Sequence, residues 1–102
     1  MRREHIIEAI RSGLSNLRSG VEVRLYGSEA RGEAQDNSDI DLLILVAKDT
    51  VTLDDELEIT APLYDIELKT GVLINTLILP KKEWGRIVTP FYENVMQDAV
   101  AL

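Results

Sequence analysis

The chain has 102 residues, 45% of them hydrophobic, with eighteen acidic residues against eleven basic ones, a net charge of −7 and no cysteine. That length holds one domain, expected over residues 1–102, which buries about two-thirds of its unfolded surface, and its hydrophobic content argues against disorder. The acidic balance excludes tight, sequence-independent nucleic-acid binding, which needs a basic surface to displace counterions, and the lack of cysteine excludes a disulfide framework or a thiolate metal site.

Met1-Arg2-Arg3-Glu4-His5 leads into an amphipathic pattern rather than an unbroken apolar run. Neither a signal peptide nor a bilayer span is therefore expected, and the chain reads as cytoplasmic. Residues 3–19 form a helix by the three- and four-residue steps of Ile6, Ile7, Ile10, Leu14 and Leu17, with Gly20 as its C-terminal cap. Val21, Val23 and Leu25 alternate with Glu22, Arg24 and Tyr26, the period of a half-buried strand. Gly27 ends it, a short helix runs from Ser28 to about Glu33, and Gln35-Asp36-Asn37-Ser38 is turn chemistry.

The second strand, about Asp39 to Ala47, is apolar on both faces beyond Asp41, as in a central strand covered on both sides. Thr52 caps the next helix, with acids in its first turn. That helix carries Leu53, Leu57, Tyr64 and Leu68 and closes at Gly71. Pro62 lies inside it, and a proline there costs roughly 3 kcal/mol, so a kink or two shorter pieces are expected. Val72 to Leu79 is a third strand interrupted only by Asn75-Thr76, and Pro80 stops it. A short helix over Lys81 to Ile87 carries Trp84, and Thr89-Pro90 opens a last helix through Val100. The order α-β-α-β-α-β-α describes a small α/β fold: a mixed sheet of three or more strands flanked by helices.

The chemistry concentrates in Gly27-Ser28-Glu29-Ala30-Arg31-Gly32 and Ser38-Asp39-Ile40-Asp41-Leu42. Residues i and i+2 of a strand share a face, so Asp39 and Asp41 present adjacent carboxylates while Ile40 and Leu42 enter the body of the sheet. Two hard oxygen ligands suit Mg²⁺, which takes a few carboxylates together with substrate phosphates. Without a cation the pair is unfavourable. Gly27 allows close backbone approach, and Ser28 with helix N-terminal amides can hold phosphates. Ser38 either braces the loop or touches the nucleotide. Arg31 either reaches a phosphate or pairs with Asp36 or Asp39. Glu29 reads as solvated, His5 as a surface residue, and Trp84, Phe91 and Tyr92 as core rather than a stacking surface. Asp54, Asp55, Glu56 and Glu58 read as a solvated helix start.

These residues resemble the nucleotidyltransferase superfamily that shares the polymerase-β type palm, whose pattern is G-S, a short helix with A-R-G, then S-D-I-D-L on the next strand. The match lies at Gly27, Ser28, Ala30, Arg31, Gly32, Ser38, Asp39, Ile40, Asp41 and Leu42, and the short chain looks like the minimal nucleotidyltransferases (MNT). The resemblance implies attack by a nucleophile on the α-phosphorus of a nucleoside triphosphate such as ATP. It makes Asp39 and Asp41 the catalytic ligands of Mg²⁺, and it gives Gly27, Ser28, Ser38 and Arg31 to the nucleotide. Active members usually add a third acid from the strand after the long helix; the matching position here is Asn75. An amide is a weaker ligand and cannot act as general base. Asp65 or Glu67 could supply the charge if the kinked helix brought one close, although a solvated helix face is the simpler reading of both.

The resemblance further implies a small helical HEPN-type protein as partner, in a toxin–antitoxin pair where AMP is transferred to a tyrosine of the toxin. Homo- or hetero-oligomers fit this, with neither nucleic acid nor membrane as a direct partner. Two alternatives stand beside it: an impaired relative that binds nucleotide or a partner without catalysis, and transfer to a small molecule of the aminoglycoside type.

Overall fold

A computed structural model of the chain describes residues 2–17 and 20–102. Its helices are α1 (Arg2–Leu14), α2 (Gly27–Ala30), α3 (Leu53–Thr70) and α4 (Pro90–Asp98). Its strands are β1 (Val21–Tyr26), β2 (Ile40–Val46), β3 (Ile74–Pro80) and β4 (Val100–Ala101), in the sheet order β3-β2-β1-β4. β2 pairs parallel with β3 and antiparallel with β1, and β4 adds antiparallel to the far side of β1. The sheet is therefore mixed, with helices on both faces.

β2 is the spine of the core, as its sequence requires. Leu42, Leu43, Ile44 and Val46 are fully buried, and successive side chains go to opposite faces. Ile40, Leu42, Ile44 and Val46 pack with Ile6, Ile10 and Leu14 of α1 and Ile59, Leu63 and Ile66 of α3. Leu43 and Leu45 face the other way, onto Val95 of α4, with Trp84 and Tyr26 around them.

The helices depart from the sequence reading in several places, one of them α2, which starts at Gly27 and ends at Ala30 rather than about Glu33. α1 stops at Leu14 rather than continuing to residue 19; Gly13, Ser15 and Asn16 around its end are weak helix formers. Residues 18 and 19 of the expected helix lie outside the described residues. Gly20 is not its cap, because its carbonyl accepts the amide of Ala47 at 2.9 Å and opens the sheet. α3 is one continuous helix across Pro62. Burial of Ile59, Leu63 and Ile66 on both sides of the proline outweighs the lost hydrogen bond, and Gly13 leaves it room: a Cβ there would sit 3.3 Å from that of Pro62.

The expected helix over Lys81 to Ile87 is a single 3₁₀ turn, Lys81–Glu83. Trp84 is already extended, and Gly85 takes a positive φ of 83°. Finally, α4 ends at Asp98 instead of Val100, and Val100–Ala101 pair with Arg24 and Leu25. This short strand satisfies backbone groups that would otherwise line a free edge of β1.

The caps of α3 and α4 follow the sequence. Thr52 and Asp55 form a reciprocal capping box at the start of α3, and Gly71 closes it in the left-handed region at φ 74°. Thr89 Oγ1 accepts the Tyr92 amide at 3.0 Å ahead of Pro90. Lys48, together with the Thr52 amide, holds the Asp55 carboxyl down at about 2 from its ordinary 3.8. A depressed carboxylate stabilises the fold above its unfolded pKa and loses that contribution as pH falls through the folded one. Asp55→Asn is therefore expected to lower the melting temperature at neutral pH and to lower it progressively less as pH falls towards and below about 2, which thermal denaturation across pH tests.

Candidate active site

The registers of β1, β2 and β3 set one row of side chains across the sheet: Tyr26 opposite Asp41, and Asp41 opposite Asn75. All three lie on the α4 side, because Leu43, two residues on from Asp41, packs there. Asp39 lies one pleat earlier, just before β2 begins. Its carboxylate and that of Asp41 converge: the Asn75 Nδ2 amide donates to Asp39 Oδ2 and to Asp41 Oδ1, both at 3.1 Å. Asp39 and Asn75 are exposed and Asp41 is half-buried, so the cluster opens to solvent.

Gly27 closes the site from the other side. It has a φ of 74°, and a Cβ built there would lie 2.4 Å from Asp41 Oδ2. Glycine is required twice over, by backbone conformation and by the carboxylate occupying the space of a side chain. Ser28 follows in the first turn of α2, whose leading amides have no acceptor within the helix. Gly27→Ala is expected to destabilise the protein by about 1–2 kcal/mol through its left-handed backbone alone. It also displaces Asp41, and urea denaturation beside a metal titration reads both effects.

The loop between Gly27 and Asp39 is tied down by a residue with no assigned role in the sequence reading. Arg3 of α1 is only 3% exposed. Its Nε donates to Glu29 Oε1 at 2.7 Å and its Nη1 to the carbonyls of Ser38 at 2.8 Å and Asp36 at 3.4 Å. One buried guanidinium thus joins α2 to the turn that delivers Asp39. Glu29 is consequently an ion-pair partner rather than a solvated residue. The signal was a single arginine on the apolar side of α1, adjacent in sequence to nothing in the motif.

The other candidates divide. Ser38 braces the loop: its hydroxyl accepts the Gln35 amide at 2.9 Å. Arg31 pairs with neither Asp36 nor Asp39 but with Glu33 at 2.9 Å and Asp98 of α4 at 3.1 Å; those two carboxylates raise its pKa, Glu33 more than Asp98. Glu67 accepts the Ile74 amide at 2.8 Å and so secures the entry to β3. Asp65 is exposed on α3, and His5 is exposed on α1. Among the described residues no three His, Cys, Asp or Glu side chains come together as a metal site; the cluster is two carboxylates and an amide.

Aromatic residues back the site. Tyr26 meets Phe91 edge-on at 6.1 Å between ring centroids, and Phe91 meets Trp84 at 6.3 Å. Trp84 also lies 4.9 Å from Tyr92 and packs against the Leu43, Leu45 and Val95 cluster, whereas Phe91 is about half exposed. Burial, and then the charge of Asp41, push the Tyr26 hydroxyl above its ordinary pKa.

The donor set suits a magnesium ion. Mg²⁺ keeps several waters and is held by one or two carboxylates with substrate phosphates. Asp39 and Asp41 already aim at one nitrogen, and the missing side chain at Gly27 leaves backbone beside them.

Comparison with known proteins bears on the family and the fold. A structure assigned as a minimal nucleotidyltransferase aligns over 99% of this chain and 89% of its own, at 27% identity and a TM-score of 0.56. A toxin–antitoxin crystal structure with AMP-PNP aligns over 99% of this chain and 72% of its own, with a TM-score of 0.59; at 19% identity that likeness concerns the fold alone. No curated protein matches the chain. The sequence profile of the nucleotidyltransferase domain matches residues 7–102, and the chain belongs to that family.

Proposed function

We propose that this chain is a magnesium-dependent enzyme that transfers AMP from ATP to a protein acceptor, as the antitoxin of a pair with a small helical HEPN-type toxin in the cytoplasm. The observation that carries the reading is the convergence of Asp39 and Asp41 beside Gly27. Likeness to a minimal nucleotidyltransferase, and to the fold of a toxin–antitoxin complex holding an ATP analogue, supports its direction.

In this reading Asp39 and Asp41 would hold the ion, and the first-turn amides of α2 with Ser28 would bind the β and γ phosphates. A bound divalent ion lowers the pKa of the attacking hydroxyl and neutralises charge on the leaving phosphates. The acceptor oxygen bonds to the α-phosphorus, the bond to the bridging oxygen breaks, and pyrophosphate leaves with the electron pair. The hydroxyl proton goes to water, since among the described residues no third carboxylate adjoins the cluster. Arg3 keeps the phosphate loop and Asp39 in one frame through Glu29 and the Ser38 carbonyl.

Asn75 favours a second reading, in which the domain binds nucleotide or partner without transfer: its amide occupies the position between the two acids. Calorimetric titration of ATP into the purified chain, with and without Mg²⁺, tests both. Mg²⁺-dependent binding is expected, and absence of binding by ATP and the other nucleoside triphosphates would overturn both nucleotide readings.

A further inference from the structure

α3 has two apolar faces, and the fold uses only one. Ile59, Leu63 and Ile66 are buried against the sheet and α1. Leu53, Leu57, Tyr64 and Leu68, the apolar residues that stand out in the sequence, are instead 69%, 56%, 60% and 66% exposed. At 100° per residue they form one stripe on the far side of the helix from the core, along about 22 Å of its length. A contiguous apolar surface of this kind marks an interaction site, unlike scattered single leucines.

The borders of the stripe say what fits it. Asp54, Glu58 and Asp65 run along one side and Glu56 and Glu67 along the other, while Lys69 is the one basic residue of α3. Beside the stripe, a groove of about 390 Å³ between α3 and the outer edge of β3 is lined by Leu57, Ala61, Tyr64, Glu67, Ile74 and Thr76. β3 is the terminal strand of the sheet, and Ile74 and Thr76 flank Asn75 on the opposite face of that strand, so the groove lies behind the candidate site rather than opening into it.

We propose that this outward face of α3 docks a partner protein through a helix whose apolar ridge is bordered by lysine and arginine. Charge complementarity decides the occupant. A second copy would set acidic borders against acidic borders, and an anionic membrane surface would be repelled by the same residues. A basic-bordered ridge buries its apolar residues on the stripe and pairs its cations with both borders. That this partner is also the acceptor of the transfer rests on the function proposed above; the docking surface does not.

The test uses two synthetic helical peptides of about 18 residues, the length of α3. They share one leucine ridge and differ only in lysine or glutamate borders, and fluorescence anisotropy follows their binding to the full chain. The lysine-bordered peptide is expected to bind, to weaken as salt rises, and to lose roughly tenfold or more in affinity against Leu57→Asp/Tyr64→Asp. Both residues are exposed, so the variant retains its fold, and circular dichroism confirms it; Leu53→Gln/Leu68→Gln is a milder second variant. The proposal is overturned if neither peptide binds, if both bind alike, or if the variants bind as well as the parent. A parent dimer in sedimentation that the variants dissolve also overturns it, by making a second copy the occupant. Mg²⁺–ATP affinity is measured on the same samples. Nucleotide binding without peptide selectivity rejects this surface alone, and peptide selectivity without nucleotide binding rejects the proposed function alone.

Discussion

The Asp39→Ala/Asp41→Ala double variant is expected to lose Mg²⁺-dependent ATP binding by more than about a hundredfold while keeping its fold. The magnitude follows from what the pair would do. Loss of an outer-shell partner at a metal site already costs roughly 10–100-fold, and here both carboxylate ligands go. The fold should survive for a separate reason. Asp39 is exposed and Asp41 half-buried, their mutual repulsion is relieved, and the exposed Asn75 amide can donate to water instead. Calorimetry with Mg²⁺ and ATP reads the first effect and thermal denaturation the second. Undiminished binding in a folded variant would remove both residues from the site.

Asn75→Asp is expected to act in the opposite direction. The native amide donates to both acids at 3.1 Å, which offsets part of their repulsion without a cation. A carboxylate at the same place removes two donors and adds a third negative charge, so the metal-free variant should melt lower than the parent. Adding Mg²⁺ should reverse the order, because a ligand that binds only the native state raises stability with its concentration. If transfer occurs in the parent, the new carboxylate can also accept the hydroxyl proton, and general-base catalysis is worth ~10²–10⁴-fold. A melting temperature unresponsive to Mg²⁺ would show that the cluster is not a cation site. A responsive variant with no gain in transfer would confine Asn75 to metal binding.

The proposed docking surface and the candidate site differ in how they were legible. Asp39, Asp41 and Gly27 are local features: period-two alternation puts the acids on one face, and a glycine at a strand end marks close approach. Residue identity and short-range geometry were enough. The resemblance together with element order pointed to Asn75, and the register pairs it with Asp41, since a parallel crossover from β2 through α3 returns the chain beside its starting strand.

α3 was less legible for a physical reason. Its sequence has apolar residues on two faces, and periodicity cannot say which one the sheet will cover. Contacts with α1 and β2 chose Ile59, Leu63 and Ile66 and left Leu57 and Tyr64 outside. The same long-range packing carried the helix through Pro62, where local propensity favours a break.

The sequence by itself determined the α/β order, the capping residues of α3 and α4, the buried spine of β2 and the paired carboxylates, because each depends on spacing within a few residues. Only the tertiary structure decided that Arg3 and Glu29 brace the loop, that Arg31 turns to Asp98, that Val100–Ala101 complete the sheet, and that one face of α3 stays open. Those outcomes join residues from about 26 to 77 positions apart, and pairings at such distances are selected by the packing of the whole chain rather than by any local pattern.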